Sequence, residues 1–221
     1  MEVAAALVET AASVTVIGRD PVPFLGSFGE EVGRFMLDLH MKKGVQFSLE
    51  EDVKEFIGSN GALENLILKS DRTLKADLAV VGVGVVPATE PFKDISGINI
   101  DKRGYIPVDS KMTTFVLSIF AAGDIVSFPL LTYGEERVTI GHWGLAMYLG
   151  RVAALNMMGE ERDAVPFFWT VQFGLSLRYA GLGSGWNSVI FQQKEGKLLA
   201  MYCKGEMICA VATLVRDPST T

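Results

Sequence analysis

The sequence contains few of the side chains that bind metal ions or act as nucleophile–base pairs. It has two cysteines and two histidines among 221 residues. Cys203 and Cys209 fit neither a Cys-x-x-Cys redox pair nor a zinc-binding array. A Ser/His/Asp order, a His-Glu-x-x-His zinc motif and a Walker phosphate-binding loop are also missing. We therefore predict no metal site and no such triad, and two lone thiols suit a reducing compartment.

Long apolar runs and basic clusters are missing as well. Glycine, proline or charge interrupts every apolar stretch before about 18 residues, so we expect no membrane span. The net charge of −6 and the pI near 5.0 argue against binding to nucleic acid or to anionic membranes. Residues 1–6 are apolar but lack a basic region, so they do not predict a signal peptide.

The overall composition is typical of a globular protein, with 49% hydrophobic and 21% charged residues. The first part of the chain alternates between helical and strand-like periodicity. Its predicted elements are a helix, a strand, a helix, a strand, an antiparallel meander around Asn60-Gly61 and a buried parallel strand, at residues 2–10, 13–17, 28–43, 45–47, 53–75 and 78–83. This order indicates an α/β unit.

The later part of the chain predicts a different organisation. Residues 98–108 predict short strands, residues 128–136 a loop and residues 140–158 one long helix. Five short apolar runs follow within residues 167–214, separated by glycine-rich turns. That pattern is typical of an antiparallel sheet.

One run between these parts has a chemical interpretation of its own. Residues 118–120 predict a short buried strand that ends in Ala121-Ala122-Gly123, followed by Asp124. Gly123 can adopt a positive φ and lets a ligand approach the backbone closely. Asp124 would accept hydrogen bonds from hydroxyl groups at a strand's carboxyl end, where ligands bind in open α/β sheets. The alternative is a turn that begins with an aspartate.

Residues 104–124 resemble the second flavin-binding motif of the pyridine-nucleotide-dependent FAD reductases. The resemblance continues in order along the chain. Residues 2–19 and 79–87 are similar to parts of the NAD(P)H-binding Rossmann unit, His142-Trp143 to the start of the helix that points at the isoalloxazine ring, and Phe168-Trp169 to the aromatic entry of the C-terminal domain. The nearest branches are the ferredoxin or rubredoxin reductases and the apoptosis-inducing factors, in particular those with a Rieske domain upstream.

The resemblance implies FAD and NAD(P)H as cofactors. In such enzymes a hydride passes from nicotinamide to flavin, and single electrons then pass to an iron–sulfur acceptor, so the protein supplies no acid or base. The implied cofactor-binding residues are Asp124 and Gly123 for FAD, His142, Trp143 and Trp169 beside the ring system, and Gly84 beside the nicotinamide.

The residues alone leave other interpretations open. His142 could be a satisfied polar residue in a core, and Trp143 and Trp169 could be ordinary core aromatics. Gly18 and Arg19 stand where NADH-binding Rossmann units place an acid, which suits the 2′-phosphate of NADPH. Arg19 could equally be a solvated loop residue.

We therefore predict an α/β chain in three parts. Residues 1–88 form a partial, truncated Rossmann-type NAD(P)H-binding domain, residues 89–164 form the C-terminal segment of an FAD-binding domain, and residues 165–221 form a mostly antiparallel α+β C-terminal domain. Neither glycine-rich dinucleotide fingerprint is present. This predicts a fragment or short isoform that begins at an internal methionine.

The missing fingerprints also support a second hypothesis. The chain could be a non-catalytic interaction or dimerisation module with a role in cell-death signalling, unable to bind FAD alone. Loss of the first strand of a parallel sheet exposes an edge, so we predict a homodimer or aggregation. The resemblance implies mitochondria for the parent protein, whereas a chain made without a targeting segment would stay in the cytoplasm.

Overall fold

The computed structural model of the chain describes residues 1–130, 136–160, 166–181 and 185–214. The helices are α1 (Glu2–Leu7), α2 (Leu25–Lys42) and α3 (Trp143–Met157), and a single 3₁₀ turn spans Glu90–Phe92. The strands are β1 (Thr15–Ile17), β2 (Gln46–Ser48), β3 (Val53–Ser59), β4 (Ala62–Leu68), β5 (Thr73–Lys75), β6 (Ile106–Pro107), β7 (Val126–Leu130), β8 (Glu136–Val138), β9 (Phe167–Gln172), β10 (Leu175–Gly181), β11 (Ser188–Lys194), β12 (Lys197–Lys204) and β13 (Met207–Leu214). Within the described ranges, no helix combines the length and the hydrophobicity needed to span a membrane.

The first part contains the predicted parallel pair. Strands β1 and β2 run parallel, with Val16 opposite Phe47. The pairing continues one residue beyond β1, because the Gly18 N–H donates a hydrogen bond of 3.1 Å to the carbonyl oxygen of Ser48, the last residue of β2. The predicted meander is confirmed as the antiparallel sheet β3-β4-β5. Its hairpin turns through Asn60 and Gly61, whose φ angles of 53° and 78° are those a two-residue turn requires.

The predicted buried strand at residues 78–83 is wrong. The backbone there forms no strand, and the side chains are open to solvent, with Leu78 72% and Val83 83% exposed. A continuous apolar run is buried only when strands flank both its edges and helices cover both its faces. The described residues provide neither for this segment.

The middle part packs a small sheet against α3. Strand β7 pairs in parallel with β6 and antiparallel with β8. The predicted loop at residues 128–136 is therefore wrong for residues 128–130, which belong to β7, and for residue 136, which begins β8. Residues 131–135 lie outside the described residues. The buried core between the sheet and α3 consists of Ile106, Val108, Met112, Val126, Phe128, Leu130, Val138, Leu145, Leu149, Val152 and Ala153.

The predicted strand at residues 118–120 is also wrong. Ser118 has a φ of 67°, and the Thr114 hydroxyl donates a hydrogen bond of 3.0 Å to the Ile119 carbonyl oxygen, which closes a tight loop. Only an isolated bridge between Thr113 and Phe120 remains. Asp124 consequently lies just before strand β7 and not at the carboxyl end of a strand.

The C-terminal part is the predicted antiparallel sheet. Its five strands lie in the order β11-β12-β13-β10-β9. Helix α2 covers one face of it, so that one core contains Phe28, Val32, Met36, Leu177, Tyr179, Leu198, Ala200, Tyr202, Ala210, Ala212 and Leu214. The helical layer of this α+β unit therefore comes from the N-terminal part of the chain.

Candidate functional site

Five aromatic side chains meet where α3 begins. His142 precedes the helix and Trp143 opens it, while Phe167, Phe168 and Trp169 are consecutive residues of β9. The ring centroids of Trp143 and Trp169 are 5.5 Å apart, and those of His142 and Trp169 are 5.7 Å apart. The Phe167 and Trp169 rings stack with centroids separated by 6.0 Å. We call these five residues the aromatic group.

Three side chains of the aromatic group, Trp143, Phe167 and Trp169, are open to solvent. Trp143 is 62% exposed and Trp169 is 38% exposed. In β9 the side chains alternate, so Phe167 and Trp169 share the exposed face while Phe168 stacks on Tyr179 with centroids 4.9 Å apart. Exposed neighbouring aromatics on a folded surface indicate a binding site more often than a core. The alternative interpretation of Trp143 and Trp169 as buried core residues is therefore not supported.

The start of α3 is open to a ligand. His142 has extended backbone angles, and neither a side-chain cap nor an acidic residue lies in the first turn. The first intrahelical bond is donated by the Ala146 N–H to the His142 carbonyl oxygen at 2.8 Å. The N–H groups before Ala146 are left without intrahelical partners, and the helix dipole gives this end a partial positive charge.

The loop with Gly123 and Asp124 lies against this helix start. A Cβ atom placed on Gly123, whose φ is 88°, would lie 3.8 Å from the Cβ of Ala146. A Cβ atom placed on Gly141 would lie 4.0 Å from the Oδ2 atom of Asp124. Asp124 itself is exposed. The structure thus brings Gly123, Asp124, His142, Trp143 and Trp169 together, although the strand expected before Asp124 is absent.

Gly144 is a residue of this site that the sequence analysis missed. A Cβ atom there would lie 3.2 Å from Cε1 of His142 and 3.4 Å from Cζ3 of Trp169. The two rings pack over the helix because position 144 has no side chain. The signal was the run Gly141-His142-Trp143-Gly144, in which glycines flank two aromatic rings.

His142 has an unused polar atom in the site. Its Nδ1 atom is buried and has no hydrogen-bond partner among the described residues. A buried nitrogen without a hydrogen-bond partner destabilises the fold unless a ligand or a water molecule forms a hydrogen bond with it. This observation favours a ligand-binding role over that of a satisfied core histidine.

Gly84 and Arg19 lie elsewhere. A Cβ atom on Gly84 would meet no atom within 4 Å. Arg19 follows β1 and lines a surface depression with Glu50, Glu51, Asp52 and Lys69. Lys69 lies 2.8 Å from Asp52, and this hydrogen bond is the main reason that the pKa of Asp52 is below its usual value.

The site fits a flat aromatic ligand that carries hydroxyl and anionic groups, as a flavin dinucleotide does. The indole faces of Trp143 and Trp169 can stack on a ring system, and Asp124 can accept hydrogen bonds from hydroxyl groups. The N–H groups at the start of α3 suit anionic or carbonyl oxygens. Within the described ranges, no three His, Cys, Asp or Glu side chains converge as a metal site would require.

Two family models match the chain. Residues 1–150 match the model described as pyridine nucleotide-disulphide oxidoreductase. Residues 167–220 match the model described as reductase C-terminal.

Several known proteins are similar to the chain. Apoptosis-inducing factor 3 from Homo sapiens is 46% identical over 99% of this chain and 36% of its own length. The ferredoxin–NAD(+) reductase component of the anthranilate 1,2-dioxygenase system from Burkholderia cepacia is 34% identical over 86% of this chain and 46% of its own length. In the solved covalent complex of putidaredoxin reductase with putidaredoxin, the matching chain superposes with a TM-score of 0.88 at 25% identity, over 97% of this chain and 52% of that chain.

Proposed function

Because the chain belongs to the pyridine nucleotide-disulphide oxidoreductase family, we propose that it forms part of an FAD-dependent NAD(P)H oxidoreductase. The family match confirms the expected resemblance and fold class, and it agrees with FAD and NAD(P)H as the expected cofactors. The chain spans 36% of the length of the human relative and 46% of the length of the Burkholderia relative. The activity of the whole enzyme is therefore part of the proposal.

The main support for the proposal is that Asp124 and the aromatic group lie close together at the start of α3. Asp124 would accept hydrogen bonds from the ribityl hydroxyl groups of FAD, and Gly123 would leave room for the adjoining part of the cofactor. Trp143 and Trp169 border the ring system. The Nδ1 atom of His142, which has no hydrogen-bond partner among the described residues, would form a hydrogen bond with the bound ligand.

Bound FAD supplies the redox chemistry, because it accepts two electrons as a hydride and releases them singly. The residues of this chain would hold and orient the ring. The positive end of α3 would stabilise negative charge on a ligand held beside it. No side chain of the site is required to transfer a proton.

The nicotinamide cofactor binds in the part of the chain before residue 89. Gly84 borders the nicotinamide, and Arg19 contacts the 2′-phosphate of NADPH. Arg19 lies just after the carboxyl end of a parallel strand, where such ligands bind, and its charge is among the causes that lower the pKa of the neighbouring Asp52. The carboxylates of Glu50, Glu51 and Asp52 line the same depression and would repel a 2′-phosphate. Flavin reduction is therefore measured with both NADH and NADPH.

The electron acceptor in this proposal is an iron–sulfur protein. The similar proteins include a ferredoxin–NAD(+) reductase component and a putidaredoxin reductase solved in complex with putidaredoxin, which supports this choice. A Rieske domain in the parent protein and mitochondria as its location remain predictions from the resemblance. The division at residues 88 and 164 also remains a prediction.

Anaerobic mixing of the FAD-loaded chain with NADH or NADPH tests this function. We expect the visible absorption of the oxidised flavin to be lost with at least one dinucleotide and to return when an oxidised ferredoxin is added. An Arg19→Ala variant is expected to lower the NADPH/NADH preference, whereas Arg34→Ala, which removes an exposed helical ion pair with Glu30, is the matched control. Unchanged flavin absorption with both dinucleotides would contradict the hydride-transfer function.

A second candidate function is that of a non-catalytic interaction module. The exposed apolar run at residues 78–86 favours it, because folded surfaces seldom leave such runs open. Flavin retention separates the two functions. A chain that retains no FAD but captures a partner protein would support the interaction module.

A further inference from the structure

A fully buried histidine has hydrogen-bond acceptors on both sides of its ring. His40 of α2 has no exposed surface, and its Nδ1 atom lies 2.8 Å from the Met36 carbonyl oxygen. Because a carbonyl oxygen only accepts, Nδ1 carries a hydrogen atom. In the neutral ring Nε2 is then an acceptor, and this buried atom has no hydrogen-bond partner in the described parts of the chain.

A second buried acceptor belongs to Gln172, which is 3% exposed at the end of β9. Its Nε2 atom donates a hydrogen bond of 3.1 Å to the Thr170 hydroxyl oxygen, and that hydroxyl donates its single hydrogen to a carboxylate oxygen of Glu2. The amide nitrogen of Gln172 therefore faces Thr170, which leaves Oε1 on the other side. Oε1 is buried and, across the described ranges, has no donor.

These two acceptors are neighbours. The ring of Phe173, the residue after Gln172, lies with its centroid 4.8 Å from that of His40. Burial lowers the pKa of His40, and the Gln172 side chain opposes part of this effect, as an acceptor beside Nε2 does. Two facing acceptors leave each other unsatisfied, whereas one added proton turns them into a donor and an acceptor.

We propose that His40 and Gln172 form a proton-binding pair, in which the protonated ring donates a hydrogen bond from Nε2 to Gln172 Oε1 and thereby shifts Trp169 through β9. This inference goes beyond the proposed function, because it does not require flavin to be bound. Gln172 is the acceptor because the Met1 carbonyl oxygen, which also acts on His40, already accepts a hydrogen bond of 2.9 Å from the Ala5 N–H.

Strand β9 can transmit the change because it is an edge strand of its sheet. Among the described strands it pairs with β10 alone. Thr170 and Gln172 lie on the face that contacts α1 and α2, and Trp169 lies on the opposite, more exposed face. A movement of Gln172 toward His40 therefore acts on the strand three residues from Trp169.

The charged groups around His40 come from the ends of two helices. The amino group of Met1, before α1, disfavours a second positive charge on the ring, and Glu2 partly offsets it. Lys43, after α2, has its Nζ atom 5.8 Å from the centre of a neighbouring phenyl ring. The neighbours on β2, on β9 and in the turn after β9 are uncharged: Phe47, Gln172 and Phe173.

The test is an NMR titration of the FAD-free 221-residue chain between about pH 7.5 and 4. It follows the Hε1 signals of His40 and His142 and the indole N–H signal of Trp169. We expect His40 to titrate in the folded chain with a midpoint below about 6.5, and the Trp169 signal to shift with the same midpoint. The wild-type chain contains the whole pair, so this part of the test depends on no variant.

Two substitutions then test the role of Gln172. Gln172→Glu places a carboxylate beside the ring and is expected to raise the His40 midpoint by about one pH unit or more. Gln172→Met removes the acceptor at similar size and is expected to lower the midpoint by about one to two units. The Trp169 signal is expected to follow both shifts, and the His142 signal is not. Gln193→Glu and Gln193→Met are the matched controls, because Gln193 is exposed in β11 at the opposite edge of the sheet.

Three results would each overturn the proposal. The first is a His40 ring that stays neutral until the chain unfolds. The second is a His40 midpoint that is the same in the Gln172 variants and in the Gln193 controls. The third is a Trp169 signal that stays constant through the His40 titration or follows His142 instead.

Discussion

The indole rings of Trp143 and Trp169 lie with centroids 5.5 Å apart at an interplanar angle of 68°, although one opens α3 and the other lies in β9. This contact joins the middle part of the chain to the C-terminal sheet. It also places two partly exposed indoles beside the loop that contains Asp124. The flavin site therefore depends on both parts being folded together.

Trp169→Leu is expected to weaken FAD binding about 2- to 12-fold, because stacking between aromatic rings contributes about 0.5–1.5 kcal/mol. The measurement is the dissociation constant from quenching of tryptophan fluorescence during titration with FAD. Phe56→Leu removes an exposed aromatic ring from the meander and serves as the control. Equal affinities of the two variants would show that Trp169 does not contact the flavin.

Asp124→Asn is expected to weaken FAD binding about 10- to 100-fold, since hydrogen bonds to a charged acceptor contribute about 1.5–3 kcal/mol. Asp71→Asn is a matched control, because Asp71 is an exposed carboxylate that pairs with Lys54 at 2.6 Å in the meander. Both variants are compared by titration with FAD. A loss of affinity as large in Asp71→Asn would assign the effect to total charge and not to the site.

Local features of the site were accessible from the sequence, but contacts between distant segments were not. Asn60-Gly61 predicted its hairpin because the turn depends on the φ preferences of those residues alone. Likewise, the run 140–158 placed His142 and Trp143 at the start of a helix. The requirement for glycine at position 144 arises from Trp169, whose approach no local pattern reveals.

Two strand predictions failed for related physical reasons. The run at residues 78–83 has the composition of a buried strand, but composition does not provide the neighbouring strands and helices that bury it. Residues 118–120 are apolar, yet Thr114 closes a tight loop around Ile119 through its side chain. In both cases tertiary context overrode an apolar pattern that is equally compatible with other structures.

Tyr202→Phe is expected to lower the free energy of unfolding by about 1–3 kcal/mol, the cost of leaving a buried acceptor without its donor. The Tyr202 hydroxyl donates a hydrogen bond of 2.8 Å to the Phe28 carbonyl oxygen, next to the kink at Gly29 in α2. Chemical denaturation measures the change. Tyr105→Phe, at a half-buried ring beside Arg103, is expected to have a much smaller effect. Equal losses would indicate that the Tyr202 bond contributes nothing specific.

The stability of the chain is expected to fall as the pH falls below about 6.5, the ordinary pKa of histidine. His40 is fully buried, with Nδ1 2.8 Å from the Met36 carbonyl oxygen. Burial lowers the pKa of His40, so the unfolded chain binds a proton at a higher pH than the folded chain does. The stabilisation is complete above pH 6.5 or so and is lost progressively toward the lower pKa of the folded state.

The free energy of unfolding, measured at several pH values between about 7.5 and 5, tests the role of His40. His40→Leu is expected to flatten the dependence in this range. His142→Leu keeps His40 and is expected to retain it. A dependence that survives in His40→Leu would assign the titration to other groups.

The most direct test of the flavin site is the visible spectrum of the purified chain after incubation with FAD and desalting. The account predicts that the wild-type chain retains the absorption bands of oxidised flavin, that Asp124→Asn loses most of them, and that Asp71→Asn keeps them. A wild-type chain that emerges colourless would contradict the claim that Asp124 and the aromatic group form a flavin site in this chain.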